Sequence, residues 1–293
     1  MQDAVAASQS RELAAYPEDY VRFIILGSAR TGSNMLVQAL NSSPHLKCFR
    51  EIFNWQLDYV DFYLDGYDKF DAQDAALRER DPMRFLHERI FCQQPEEIHA
   101  VGFKFQYGHV WGFPALLERL AQDAELHVLH LKRRNLLLQL LSLKRAQTTG
   151  VWFERRRLRP ALARALTASR HPLQAARKLS TLLRRRKPGR LAPSMRMAVS
   201  VQELLNFISR TEIAGRHFES QFRKHPTLAL FYEDMIVQRD SVYKRTQLFL
   251  GVEPRSLTTT LRRQNPEPLR ELLANYDELY DTFRHTPHAW MFE

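Results

Sequence analysis

Short apolar runs alternate along this chain with longer stretches of helical periodicity. VRFIIL (21–26), AVGFKF (100–105), LHVLHL (126–131) and TLALFY (227–232) are rich in large apolar and β-branched residues, which predicts four buried strands. Between them, 114–121, 201–222 and 241–250 read as helices. MLVQAL (35–40) opens a helix after the first strand, and another runs from the end of the third strand to about Gln147. Gly251-Val252-Glu253-Pro254 supplies a helix stop. Strands separated by helices predict an α/β fold, a P-loop-like parallel sheet flanked by helices. With no internal repeat and no dividing linker, a single domain over 1–293 is expected.

Two loops carry the candidate chemistry. Gly27-Ser28-Ala29-Arg30-Thr31-Gly32-Ser33 follows the first strand and precedes a helix, with two glycines spaced as in a phosphate-binding loop. Backbone N–H groups and a helix N-terminus in that context hold a phosphate-like anion. Ser33 and Asn34, however, stand where the lysine and hydroxyl residue of a nucleoside triphosphatase belong. The third strand ends in Lys132-Arg133-Arg134 instead of a metal-holding acid. An anion handled by arginines is therefore expected, with no metal site. Arg134 at that strand end and Ser142 two turns into the next helix are spaced to converge on one phosphate. The carboxyl ends of strands are where open α/β sheets bind ligands. A solvated charge run is the competing reading of Lys132-Arg133-Arg134.

Strand-GSARTGSN-helix together with strand-KRRNLLLQLLS resembles the two cofactor motifs of sulfotransferases that use 3′-phosphoadenosine 5′-phosphosulfate (PAPS). The phrases FREIFN, RAQTTGVW, YEDM and LRRQNPEPLRELLANYDE are similar to the bacterial carbohydrate sulfotransferase group that includes the nodulation-factor and trehalose-type enzymes. Tyrosylprotein sulfotransferases share the same skeleton. The resemblance covers about 21–152 and 200–280.

It implies transfer of a sulfuryl group from PAPS to a hydroxyl acceptor, a carbohydrate or glycolipid, by in-line displacement. It also implies that Ser28, Ala29, Arg30, Thr31, Gly32, Ser33 and Asn34 hold the 5′-phosphosulfate, and that Arg134 and Ser142 hold the 3′-phosphate. Tyr232 would contact the cofactor, and Arg263 and Gln264 lie in a segment that closes over it. Arg30 and Lys104 would stabilise the transferring group, and Glu51 would be the base. A buried glutamate with a raised pKa accepts a hydroxyl proton near neutrality. The cytosolic small-molecule branch uses a histidine two positions after its strand lysine; here that position is Gln106, with His109 as a fallback, and that branch's Arg-Lys-Gly tail motif is missing.

Charge sharpens the picture. The chain carries a formal net charge of +10, but residues 154–197 hold 14 Lys and Arg against Glu154 alone, leaving the rest at −3. This basic stretch, about 152–198, has leucines at helical spacing and a His171-Pro172 break, and the resemblance does not cover it. It reads as a pair of solvated amphipathic helices, as a peripheral contact with an anionic membrane or acidic acceptor, or as a nucleic-acid surface. With no aromatic residue among its basic positions after Phe153, base stacking has no platform and nucleic acid is disfavoured.

Two cysteines, Cys48 and Cys92, cannot build a disulfide framework. No apolar run approaches a membrane span, and the first twenty residues lack the features of a signal peptide, so a cytoplasmic location is expected. Arginine's excess over lysine suggests a bacterial source. The alternatives to a sulfotransferase are a degenerate P-loop kinase or nucleotide-binding regulator and, further off, a basic nucleic-acid-binding module.

Overall fold

The computed structural model describes residues 16–17, 19–54, 72–152, 154–155, 196–262 and 267–293. Most of the basic stretch, 156–195, and the predicted cofactor residues Arg263 and Gln264 lie outside the described residues. Among the described residues, no helix is long and apolar enough to cross a membrane. The chain forms two compact units, one within 1–134 and 209–259, the other within 135–208 and 260–293.

The first unit is built on a five-stranded sheet: β1 Val21–Gly27, β2 Leu46–Phe49, β3 Ala100–Gln106, β4 His127–Lys132 and β6 Thr227–Phe231. The order is β2-β3-β1-β4-β6, and every pairing is parallel. The expected α/β fold with a P-loop-like parallel sheet is thus present, each predicted strand lying within a residue or two of its place. One strand is an addition: β2, at LKCF, has only four residues and was not expected.

Alternation along the strands divides the core, because successive side chains point to opposite faces. Ile24, Leu26, Phe103, Phe105 and Val128 pack with Phe85, Leu116 and Leu120 on one face. Phe23, Ile25, Leu129 and Leu131 pack with Leu36, Val37 and Tyr243 on the other. The helices are α1 Ser33–Leu40, α2 Ala72–Arg80, α3 Pro82–Phe85, α4 Pro114–Gln122, α7 Tyr232–Val237 and α8 Arg239–Phe249. Gly251, at φ +68°, ends the last of these as expected.

The second unit contains α5 Leu136–Thr149, the short antiparallel pair of β5 Glu154–Arg155 and β7 Leu261–Arg262, α9 Leu269–Leu272 and α10 Tyr276–Phe283. Its core joins Leu137 and Leu141 to Leu204, Leu272, Leu279 and Phe283. The long helix α6, Val201–Gln221, gives its first turns to this unit and the remainder to the first.

In the sheet, the chain leaves β1 towards β2 and leaves β4 towards β6, in opposite directions. The crevice between the carboxyl ends of β1 and β4 is therefore the topological switch point, where ligands of such sheets sit.

Candidate active site

The loop after β1 is shaped by close backbone approach. A Cβ on Gly27 would stand 2.3 Å from the carbonyl oxygen of Leu131 in β4, so only glycine fits there. Gly32 caps α1 at φ +85°, a left-handed conformation, and a Cβ there would meet the Tyr232 ring at 2.5 Å. Arg30 also adopts a positive φ, 67°, which for a residue with a side chain costs roughly 1–2 kcal/mol. Such strain persists where the surroundings over-determine it, typically at ligand clamps. Thr31 Oγ1 donates to Ser28 O at 3.0 Å and closes the loop on itself. The first turn of α1 contains no acidic residue, so its dipole favours an anion.

Cationic groups gather around this loop. Burial, and then the like charge of Arg133, lower the pKa of Arg30 to about 10, which leaves it protonated at neutral pH. Arg133 Nη1 donates to the carbonyl oxygen of Arg30 at 3.3 Å, and its guanidinium lies 4.6 Å from the centre of the Tyr232 ring. Tyr232 is thus wedged between Gly32 and Arg133, at the start of α7. A small cleft beneath the loop is lined by Gly27, Ser28, Thr31, Ser33, Lys104 and Gln106, among others. The loop and the end of β3 therefore face one space.

Lys104 and Gln106 share a face of β3 because they are two residues apart. The Lys104 amide donates to Arg50 O at 3.2 Å, which continues the β2–β3 pairing and sets Glu51 beside the strand end. Lys104 Nζ donates to Asn34 Oδ1 at 3.1 Å and forms an ion pair with Glu51 Oε1. Gln106 Nε2 donates to the same Oε1 at 2.9 Å, and Asn54 Nδ2 donates to Oε2 at 3.0 Å. A reciprocal capping box orients Gln106: its side chain accepts from the backbone of His109, and the His109 ring accepts from the Gln106 amide at 3.2 Å.

One expectation is corrected here. Burial pushes the Glu51 carboxyl up, but the charge and hydrogen bond of Lys104, with His109 and Asn54 adding to them, outweigh it. The net shift is below the ordinary carboxylate value, so Glu51 is ionised at neutral pH. The fallback, His109, is buried, and desolvation lowers its pKa to about 4. It is neutral at pH 7.

Arg134 is held by α7. Its guanidinium donates to both carboxylate oxygens of Asp234, at 2.6 and 2.9 Å, and stacks 4.0 Å from the centre of the Phe231 ring. Its backbone N–H donates to Glu233 Oε2 at 3.1 Å. Arg134 closes the first unit, whereas Ser142 is buried on α5 in the second. Asn135 between them caps α5 by accepting from the Leu138 amide at 2.9 Å, a structural use of the second residue of the motif.

The sequence reading assigned no part to Asn54, Asp234 or the amide of Gln106. The two-residue spacing from Lys104 was a signal for Gln106. Asn54 acts three residues from Glu51, where a polar residue by itself marks no role, and Asp234 acts 100 positions from Arg134.

No family model matches the chain. Nodulation protein H of Rhizobium tropici is 25% identical over 276 residues, covering 92% of both chains. A crystal structure of a sulfotransferase from Alicyclobacillus acidocaldarius covers 92% of this chain and 93% of its own, with a TM-score of 0.44 and 14% identity. By its motifs and by a relative matched along nine-tenths of both sequences, the chain resembles the bacterial carbohydrate sulfotransferase group that includes the nodulation-factor enzymes.

Proposed function

We propose that the protein moves the sulfuryl group of PAPS to a hydroxyl of a carbohydrate or glycolipid acceptor, with Glu51 as base. The observation that carries this reading is the meeting of an arginine-bearing anion loop, Lys104 and an ionised Glu51 at the carboxyl ends of β1, β2 and β3.

The residues fit the donor. Gly27 and Gly32 let the loop pack closely on Leu131 and Tyr232 in its anion-loop shape, and Arg30 and Lys104 supply charge beside it. On this reading residues 28–34 hold the phosphosulfate end, Arg134 and Ser142 hold the 3′-phosphate, and Tyr232 contacts the nucleotide. Arg263 and Gln264 contribute from the closing segment. PAPS, when bound, supplies an activated sulfur open to in-line attack.

Glu51 then takes the acceptor proton. A carboxylate offers about four lone-pair sites. Lys104 and Gln106 engage Oε1 and Asn54 engages Oε2 once, so the remaining site on Oε2 is the one for the hydroxyl. Lys104 and Arg30 offset the negative charge that develops on the leaving phosphate, the preorganised electrostatics expected to supply much of the rate. Lys104 is shared between Glu51 and the anion site; turning towards the anion, it releases Glu51 to become a stronger base.

The resemblance of the motifs to the nodulation-factor and trehalose-type enzymes supports a carbohydrate acceptor. We read the protein as cytoplasmic, with the basic stretch 154–197 placing it peripherally on an anionic surface. The test of the reading is binding of 3′-phosphoadenosine 5′-phosphate (PAP) with ATP and DNA as competitors. PAP should bind without Mg²⁺ and outcompete both. Preference for Mg²⁺-ATP would favour the kinase or regulator reading.

A further inference from the structure

Arg78, on α2, is among the largest fully buried side chains, with 0% exposure. Charged side chains are almost never buried to that degree unless something pairs with them. Its surroundings are largely aromatic. The guanidinium lies 5.5 Å from the centre of the Phe113 ring, which packs on Phe53 at 5.2 Å between centroids. An apolar residue would suit such a site if packing were its only purpose.

One of its nitrogens instead binds a single short segment. Arg78 Nη1 donates to the carbonyl oxygen of Ile52 at 3.1 Å and to that of Asn54 at 3.3 Å, while Nη2 pairs with Glu79. That segment is the turn carrying Glu51. Within it the Ile52 amide donates to Arg50 O, and the Asn54 amide donates to Glu51 O, both at 3.0 Å. The Asn54 side chain then reaches Glu51 Oε2. Ile52 and Phe53 are buried at 0% exposure, so the turn is anchored by apolar contact below and by Arg78 Nη1 through its carbonyls.

We propose that Arg78 is a positioning residue for Glu51. By holding the carbonyls of Ile52 and Asn54 it fixes the turn from which Glu51 reaches Lys104, Gln106 and Asn54. The inference rests on the reading of Glu51 as the base. A lysine in its place keeps the charge but has one rotating ammonium on a flexible stem, without the rigid plane that aims Nη1 at both carbonyls while Nη2 holds Glu79. With the turn loosened, Glu51 loses part of its contact with Lys104 and Asn54, and its carboxyl moves back towards the ordinary carboxylate range. Among the described residues, the charged and titratable groups facing Glu51 include Lys104 from β3, His109 from the turn after it, and Arg30 from the first loop. The His109 imidazole titrates at about 4, so the readout must see Glu51 itself.

The experiment compares the parent, Arg78→Lys and Asn54→Ala. The Glu51 carboxyl carbon is titrated by ¹³C NMR, assigned by its loss in Glu51→Gln, alongside kcat, KM for PAPS, PAP affinity and thermal stability. Arg78→Lys is expected to lower kcat by roughly 10- to 100-fold, leave PAP affinity within about threefold, and raise the Glu51 titration. Asn54→Ala removes the link from turn to carboxylate without disturbing a buried charge, and is expected to raise the same titration even if Arg78→Lys does not fold. A folded Arg78→Lys with the parental Glu51 titration and kcat overturns the inference, as does an Asn54→Ala in which that titration has not moved. A loss of kcat that only tracks the fraction of molecules able to bind PAP also overturns it. If Glu51→Gln itself turns over normally, the reading of Glu51 has failed, and that is seen independently of Arg78.

Discussion

Glycine at position 32 answers two demands, a left-handed backbone and a ring in the space a Cβ would need. Gly32→Ala is therefore expected to cost about 1–2 kcal/mol in thermal or chemical unfolding and to weaken PAP binding. Gly108, where a Cβ would meet nothing within 4 Å, is the control, and Gly108→Ala should leave both nearly unchanged. Lys104 is the residue most responsible for holding Glu51 ionised. Removing it, as in Lys104→Met, leaves burial unopposed by its largest counterweight, so the Glu51 carboxyl should titrate at higher pH. The sign for stability follows from the same shift. A depressed carboxyl stabilises the fold at pH values above its unfolded pKa, and that contribution is lost as pH falls through the depressed folded value. The acid side of a stability profile should accordingly be shallower in Lys104→Met than in the parent. Glu51, Lys104 and Arg30 stood out in the sequence as candidates through the resemblance, but the direction of the Glu51 shift did not. It depends on a cation that lies 53 positions away and comes close only when β2 and β3 pair.

At the scale of elements, the strands were legible where they are buried on both faces, as parallel strands flanked by helices should be. VRFIIL and LHVLHL needed no partner to be read. β2 escaped because it is a four-residue edge strand, with Lys47 interrupting three apolar positions. Helix α2, AQDAALRER, escaped because its charged residues hide the one stripe that matters, the face that carries Arg78 inward. The third strand's arginines stood out in the sequence as a candidate anion site, but their partners on α7 did not. The bidentate Arg134–Asp234 pair is partly exposed, with 43% and 29% of the two side chains accessible, so its own contribution to stability should be below about 1 kcal/mol. Its consequence is for binding, since Asp234 occupies the guanidinium that the 3′-phosphate reading requires. Arg134→Ala should weaken PAP at least tenfold, because charge-assisted bonds to phosphate are the strong ones. Asp234→Asn should bind PAP as tightly as the parent or more tightly. An Arg134→Ala protein that binds PAP normally would assign the 3′-phosphate elsewhere.

For the whole molecule, the segregation of charge is the feature that composition alone misstates. A chain at +10 consists of one stretch at +13 and a remainder near neutrality, so its basicity is a local property of residues 154–197. Lys and Arg near an anionic bilayer contribute about 1 kcal/mol each. Co-sedimentation with anionic vesicles should therefore fall with salt, and fall further when Arg155, Arg156, Arg157, Arg184, Arg185 and Arg186 are changed to Gln. Binding that ignores those changes would leave the stretch as a solvated surface. The proposed chemistry turns on the meeting of Glu51 with Lys104 beside the anion loop. Its most direct test is transfer of radiolabelled sulfuryl from PAPS to a panel of carbohydrate acceptors by the parent and by Glu51→Gln, with PAP affinity measured on the same preparations. The expected result is transfer by the parent, a fall of roughly 10²–10⁴ in turnover for Glu51→Gln, and equal PAP affinity for the two proteins. A parent that does not bind PAP, or a Glu51→Gln protein that turns over like the parent, would contradict it.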